Sequence, residues 1–394
     1  MRVLFINTVD KRGSTGRICR EIGEAVERDG GEYRIAFGRG QVTDAHGYRI
    51  GSDLSLRHHA LMARLFDRAG FFSRRATKKF LAFLREYNPD IIHLHNLHGY
   101  YLHLPTLFTY LKEEFRGKVV WTLHDCWAFT GHCCHYTRVR CSRWQSECHS
   151  CPQRGEYPRS LFLDSSRRNF RDKQRLFTGV GQMTLVTVSH WLEDEVRKSF
   201  LGEYPILTVY NGIDFSRFRP VENNVRKRHG IEGKLILSVS DGWTEGKGLR
   251  RILEVAHRAD DSFRFIVIGL SEKQLSALPP NVIGLPRTAS QSELIEYYSA
   301  ADVFFNPSTE ETFGLVTAEA IACGTPALVM RSTACHEVVL HSGGGRILEP
   351  DADSDACLAA LDSLAKEATV PDLRAFSIEE MQNAYVRRAY SCNK

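Results

Sequence analysis

Two carboxylates, Glu311 and Glu319, stand eight positions apart in the run Glu310-Glu311-Thr312-Phe313-Gly314-Leu315-Val316-Thr317-Ala318-Glu319. The pattern there predicts a loop turning into a short helix that ends at Gly324. The backbone N–H groups around Phe313, Gly314 and Leu315 are then the unsatisfied donors of a helix start, a natural anion site. A phosphate suits those amides, whereas the carboxylates repel phosphate and suit neutral hydroxyls. Phosphate and hydroxyls held on one loop point to a sugar nucleotide. Elsewhere His124 closes the apolar run Val119–Leu123, and Lys247 sits between two glycines after Ser238-Val239. Near the start, Gly13-Ser14-Thr15-Gly16-Arg17 follows the first apolar run, where glycines let a backbone approach a ligand closely.

These residues need a scaffold that brings loops together. Strand-like runs alternate with helix-like runs almost throughout, the pattern of a doubly wound parallel sheet. In the first half they are 3–7, 33–37, 91–95, 119–124 and 184–188; in the second, 206–210, 235–239, 263–268, 282–285, 303–306 and 326–330. Residues 43–88 read as mostly helical and 125–173 as irregular. The expectation is an α/β protein of two Rossmann-like domains, residues 1–205 and 206–375, followed by an amphipathic C-terminal helix in 376–394. In open sheets of this kind ligands sit beyond the carboxyl ends of the strands, where His124 lies.

The chain of 394 residues, 43% hydrophobic and 25% charged, has the composition of a two-domain globular protein. It lacks a run of about 18 apolar residues, so no membrane span is expected. The start, Met1-Arg2-Val3-Leu4-Phe5-Ile6-Asn7, reads as a buried strand rather than a signal peptide. The expectation is a cytoplasmic protein. A net charge of +5 is too modest to argue for nucleic acid. Residues 57–85 nevertheless collect Arg57, Arg64, Arg68, Arg74, Arg75, Lys78, Lys79 and Arg85 among apolar residues. Two readings stay open: core-packing helices with solvated basic faces, or a surface that leans on anionic lipid headgroups.

The string around Glu311, with Phe313-Gly314 after the first Glu, Ala320 after the second and Cys323-Gly324-Thr325-Pro326 at the end, resembles the signature of retaining glycosyltransferases of family 4, which have the GT-B fold. The resemblance implies two Rossmann-like domains facing a central cleft and a final helix that crosses back onto the first domain. It implies transfer of a hexose from a nucleoside diphosphate sugar to an acceptor hydroxyl, with no catalytic divalent metal. By position, Glu311 would hold hexose hydroxyls, Glu319 the ribose, and Lys247 the diphosphate. Phe313, Gly314 and Leu315 would join in donor binding, and Gly16 and Arg17 would face the donor phosphates. His124 would contact the transferred sugar, with Asp125 orienting its ring. One departure stands out: the family's Arg six residues before the Lys is Asp241 here, leaving Arg250, Arg251 or Arg287 to supply that charge. Asn211-Gly212-Ile213-Asp214 also fits the family pattern beside the donor. His93, His95 and His98 are expected to line the cleft or contact the acceptor.

Six of the 11 cysteines fall between Cys126 and Cys151. A cytoplasmic protein rarely uses disulfides, and Cys148-His149-Ser150-Cys151 has the spacing of a zinc knuckle. With Cys133 and Cys141 it can supply a closed four-thiolate structural zinc site; Cys134, His132 and His135 are alternative ligands, and free thiols or disulfides remain open. The insert resembles one in a bacterial polysaccharide-synthesis branch of the family, which implies exopolysaccharide, capsule or lipopolysaccharide synthesis with a lipid-linked acceptor at the inner face of the membrane. The competing reading is an inactive or regulatory nucleotide-sugar-binding protein with a zinc-stapled insert. A nucleotide-sugar epimerase is disfavoured by the run around Glu311. An Asp-x-Asp metal site at Asp351-Ala352-Asp353 is disfavoured because Asp there is an expected helix cap.

Overall fold

A computed structural model describes residues 1–11, 13–365 and 371–391. The chain divides into two compact units: Met1–Tyr210 together with Glu379–Lys394, and Asn211–Ile378.

The first unit is built on seven strands: β1 (Arg2–Val9), β2 (Glu32–Arg39), β3 (Gly47–Arg49), β4 (Ile91–Leu94), β5 (Lys118–Leu123), β6 (Met183–Thr187) and β7 (Ile206–Thr208). They pair in the order β3-β2-β1-β4-β5-β6-β7, all parallel. A parallel sheet is covered on both faces, so its strands read as unbroken apolar runs; Val3–Ile6 are all fully buried. The helix Gly13–Arg28 seals one face with Ile18, Cys19, Ile22 and Val26, spaced three and four apart.

The second unit has six strands: β8 (Lys234–Val239), β9 (Phe263–Ile268), β10 (Val282–Leu285), β11 (Val303–Asn306), β12 (Ala327–Met330) and β13 (Gly345–Leu348). Their order is β10-β9-β8-β11-β12-β13, again all parallel. The order reverses between β8 and β11, so the loops after those two strands flank the crevice where doubly wound sheets bind ligands.

Two expectations need correction. The run 206–210 does not open the second unit: Ile206 pairs with Leu185 and Thr208 with Thr187, so β7 is the edge strand of the first sheet and the boundary falls after Tyr210. Its backbone partners, not its position, decide the sheet it joins. The short strands β3 and β13 were not anticipated, nor was the helix Ser166–Phe177 at the end of the stretch read as irregular.

The chain enters and leaves the second unit side by side. Ile213 N–H donates to Phe376 O at 2.7 Å, and Ile378 N–H donates to Ile213 O at 3.3 Å. The last turns, Ile378–Ala384 and a π-helical turn Tyr385–Ala389, return to the first unit. Met381, Ala384, Tyr385, Ala389 and Tyr390 share one core with Val3, Phe5, Ile22 and Ile35.

Candidate active site

In the second unit, the loop after β8 forms a single 3-10 turn, Glu245–Lys247. It is tied to the loop after β11 by Thr309 N–H and Ser308 Oγ, both donating to Gly246 O, at 2.8 and 3.2 Å. This brings Lys247 Nζ to 2.5 Å from Glu311 Oε1 and 3.3 Å from Glu310 O. Burial works against the ammonium, but the Glu311 carboxylate more than offsets it, and the Lys247 pKa stands above the usual lysine value. Glu311 is held in turn by its own backbone: its N–H donates to Thr333 Oγ1 at 3.2 Å, and its carbonyl accepts from Ala334 N–H at 3.2 Å.

Gly314 caps the helix Leu315–Ala322 with φ +94°, a left-handed conformation that side chains rarely adopt. A Cβ there would lie 2.6 Å from Cys335 Sγ. Phe313 is buried, its ring 5.8 Å from that of Phe376. Glu319 lies inside the helix, 8% exposed, and Tyr298 Oη donates to its Oε2 at 3.2 Å. Tyr298 and Thr333, which position the two glutamates, were missed in the sequence; neither belongs to a local pattern. Asp241 faces Arg287, the two forming an ion pair on exposed side chains. Arg250 instead pairs with Glu254, and Arg251 donates to Pro350 O. Asp353 caps the helix Ser354–Ser363, its Oδ1 accepting from Ala356 N–H at 2.8 Å, as a helix cap should.

In the first unit, Gly13–Gly16 are not a loop but the opening turn of the helix Gly13–Arg28. A Cβ on Gly16 would stand 2.4 Å from Asp10 O, so the close approach that requires glycine is to the protein's own backbone. Arg17 pairs with Glu21 at 3.6 Å on that helix. The histidines also depart from expectation. His93 is fully buried between Tyr390 Oη and Thr122 Oγ1, each 2.7 Å from a ring nitrogen, and it lines no surface. Asp125 turns to His98 at 2.7 Å rather than orienting His124, whose Nε2 meets His95 Nδ1 at 2.9 Å. Burial alone would raise the Asp125 carboxyl, yet His98 brings it down to about 2. Burial lowers His124 to about 4 and His95 well below the ordinary histidine value. His95, His98, His124 and Asp125 line a small cavity of about 10 Å³.

Beyond β5 the cysteine-rich insert winds through a single 3-10 turn at Arg143–Gln145. Cys133, Cys141, Cys148 and Cys151 all line one cavity of about 20 Å³, with His132 among them. The sulfurs are free of disulfides. Among the described residues, the set of three metal-type donors lying within 4.8 Å of one another is a different one, His98, Asp125 and Cys134. On the helices Asp53–Phe66 and Arg74–Tyr87, Arg57, Arg64, Arg74, Arg75, Lys78, Lys79 and Arg85 are exposed. Arg68 is not; it pairs with Asp172 at 2.7 Å. Leu61, Phe66, Leu161, Phe162 and Leu163 are exposed too, and Leu161 N–H donates to Arg64 O. Among the described residues, no helix is long and apolar enough to cross a membrane.

Two parallel-sheet Rossmann-like units, with a lysine and a glutamate joined at the switch point of the second, define the GT-B class of glycosyltransferase. The family model "Glycosyltransferase Family 4" matches residues 15–217 and "Glycosyl transferases group 1" matches 221–385. The chain therefore belongs to glycosyltransferase family 4 and is a glycosyltransferase. It is 24% identical over 296 residues to a protein of Escherichia coli (strain K12) provisionally named colanic acid biosynthesis glycosyl transferase WcaC, covering 73% of this chain and 71% of that one. It is 28% identical over 188 residues to a GDP-mannose-dependent alpha-(1-6)-phosphatidylinositol dimannoside mannosyltransferase of Mycobacterium tuberculosis, covering 45% and 48%. Among solved structures, sucrose-phosphate synthase from Thermosynechococcus elongatus superposes with a TM-score of 0.71 at 16% identity over 98% of both chains. Anabaena HepE in complex with UDP and glucose does so with a TM-score of 0.67 at 15% identity over the full length of both.

Proposed function

We propose that the protein transfers a hexose, with retention of configuration, from a nucleoside diphosphate sugar to an acceptor hydroxyl during bacterial polysaccharide assembly. The observation that carries this reading is the Lys247–Glu311 contact beside the helix that Gly314 caps. An incoming diphosphate takes the ammonium, and the carboxylate it leaves is free to accept from sugar hydroxyls. A leaving diphosphate develops charge, and a fixed cation with helix-start amides is what stabilises it. Glu319 is assigned the ribose and His124 the transferred sugar. A neutral His124 suits that role, since it donates or accepts without adding charge.

No side chain is assigned as a covalent nucleophile; a donor phosphate oxygen would take the acceptor's proton on the same face of the sugar. Relatives point to two donor bases, one being GDP-mannose-dependent and another captured with UDP-glucose. The basic helices with their exposed apolar side chains suit an acceptor presented at an anionic membrane. The inner face of the cell membrane is the proposed place of action.

The test is thermal stabilisation by a panel of UDP-, GDP- and ADP-sugars, followed by NMR of the product anomer. One sugar nucleotide should raise the melting temperature, and the product should keep the donor's anomeric configuration. An inverted product would reject retention. Stabilisation without turnover against any glycan would favour a nucleotide-sugar sensor.

A further inference from the structure

We propose that Leu161-Phe162-Leu163, on the loop between the cysteine-rich insert and the helix Ser166–Phe177, is a wedge that enters the acyl layer of an anionic membrane and holds the first unit there. This deepens the membrane reading given above and rests on it. There the basic helices adsorb to headgroups; here an apolar loop passes beneath them.

Three consecutive large apolar residues stand in solvent, with Phe162 70% exposed. Single exposed leucines are ordinary, but contiguous apolar surface marks a contact with something apolar. The loop lies along the helix Asp53–Phe66, because Leu161 N–H donates to Arg64 O and Ser165 Oγ donates to Phe66 O, both at 2.9 Å. That helix adds Leu54, Leu61 and Phe66, all exposed. Leu54, Arg57, Leu61 and Arg64 follow one another three, four and three positions apart, so they share one face.

The loop is built to lose water. Backbone polar groups are the costly part of any segment that enters lipid. Phe162 O already accepts from Arg154 Nη1 at 3.2 Å, Leu163 O accepts from Ser160 Oγ at 2.6 Å, and Leu161 N–H is on Arg64 O. These groups need no water when the side chains go in. Pinning the loop to the helix also removes much of the ordering cost of contact.

Charge names the occupant. Within residues 53–66 and 154–165, Arg57, Arg64, Arg154 and Arg159 are exposed, and among the described residues none of them pairs with a carboxylate. The three carboxylates of the same stretches are taken up. Asp53 pairs with Arg49 and Glu156 with Arg138, while Asp164 accepts from the N–H groups of Cys151 and Ser166. Apolar tips flanked by unpaired cations match the layering of an anionic bilayer, hydrocarbon beneath charged headgroups. Arginine stems are long enough to keep their heads at that level while the wedge lies deeper.

The test is co-sedimentation of the full chain with vesicles of phosphatidylserine and phosphatidylcholine. Phe162→Ser should weaken partition by about 10-fold or more, the scale set by burying one phenylalanine side chain. Leu340→Ser, at an exposed leucine of the second unit, should leave partition unchanged. Unaltered melting temperatures show that both variants keep the fold. Depth is read separately: Phe162→Trp should add tryptophan emission that lipid brominated on its acyl chains quenches. Wild-type partition by Phe162→Ser, or added emission that escapes quenching, overturns the wedge; if Arg57→Gln with Arg64→Gln still weakens binding, the membrane reading survives it. A wild-type chain that leaves the vesicles unbound removes both. Concentration-dependent self-association that vanishes in Phe162→Ser, without vesicle binding, would give the loop to a second copy of this chain and likewise overturn the proposal.

Discussion

At the scale of single residues, charge decides what the donor loop can do. Lys247 is in contact with Glu311, so Lys247→Ala removes a fixed donor for a leaving diphosphate and strands a half-buried carboxylate. Loss of one preorganised donor of this kind costs about 10²–10³ in rate, and kcat for donor turnover should fall by that much. The neighbouring Asp241 acts the other way. It pairs with Arg287 on exposed side chains. Exposed pairs are worth about 0.2–1 kcal/mol, so Asp241→Asn should lower the donor KM by no more than about fivefold, read in steady-state kinetics. A rise in KM would show that Asp241, not Arg287, faces the donor. His124, lowered to about 4, stays neutral through the physiological range. The pH profile of kcat should therefore show no histidine limb between about pH 5 and 8, where an unperturbed imidazole titrates. A limb near neutrality that vanishes in His124→Gln would contradict this.

At the scale of elements, the turns matter more than the helices they start. Gly314→Ala places a methyl against Cys335 Sγ and forces a side chain into left-handed backbone, each costing about 1–3 kcal/mol. Urea unfolding of the second unit should shift accordingly, with donor binding weakened alongside. How much of this was legible depended on how local its cause is. The Glu311–Glu319 run carried its own loop and helix, because a Gly before an apolar helix and a Gly-Thr-Pro after it are local signals. The packing constraint on Gly16 was not legible, because the atom a side chain there would meet is Asp10 O, which only folding reveals. His93 was misread for the same reason: its partner Tyr390 comes from the far end of the chain. The extent of each strand was readable from apolar runs, but the sheet that β7 joins was set by pairing with β6, a non-local choice.

At the scale of the molecule, the two units differ in what unfolds them. Burial lowers His59 to about 3 and His103 and His124 to about 4, and all three lie in the first unit. Each is neutral when folded, while the unfolded chain takes up protons near the ordinary histidine value of about 6.5. Their contribution is complete above that value and is lost as pH falls from about 6.5 toward the folded values. Trp121, Trp127, Trp144 and Trp191 report on that unit and Trp243 on the other. Intrinsic fluorescence on heating should show the first unit's transition falling steeply between about pH 6.5 and 4, in the window set by those shifts. The basic helices make a separate prediction about membranes. Each basic residue near an anionic surface is worth about 1 kcal/mol, so replacing Arg57, Arg64, Arg75, Lys78 and Lys79 with Gln should abolish co-sedimentation with phosphatidylserine vesicles. Equal binding by the variant would return those helices to a purely structural role.

The shared core of β1 and the last helical turns bears on synthesis. Val3 and Phe5 leave the ribosome well before the side chains that close over them, Met381, Tyr385 and Tyr390. The contiguous stretch from Asn211 to Ile378 can complete its own core while the amino-terminal half still waits, reversing the usual N-terminal-first order of translation. Nascent chains arrested just past Ile378 should then carry a protease-resistant distal unit behind a labile leading one.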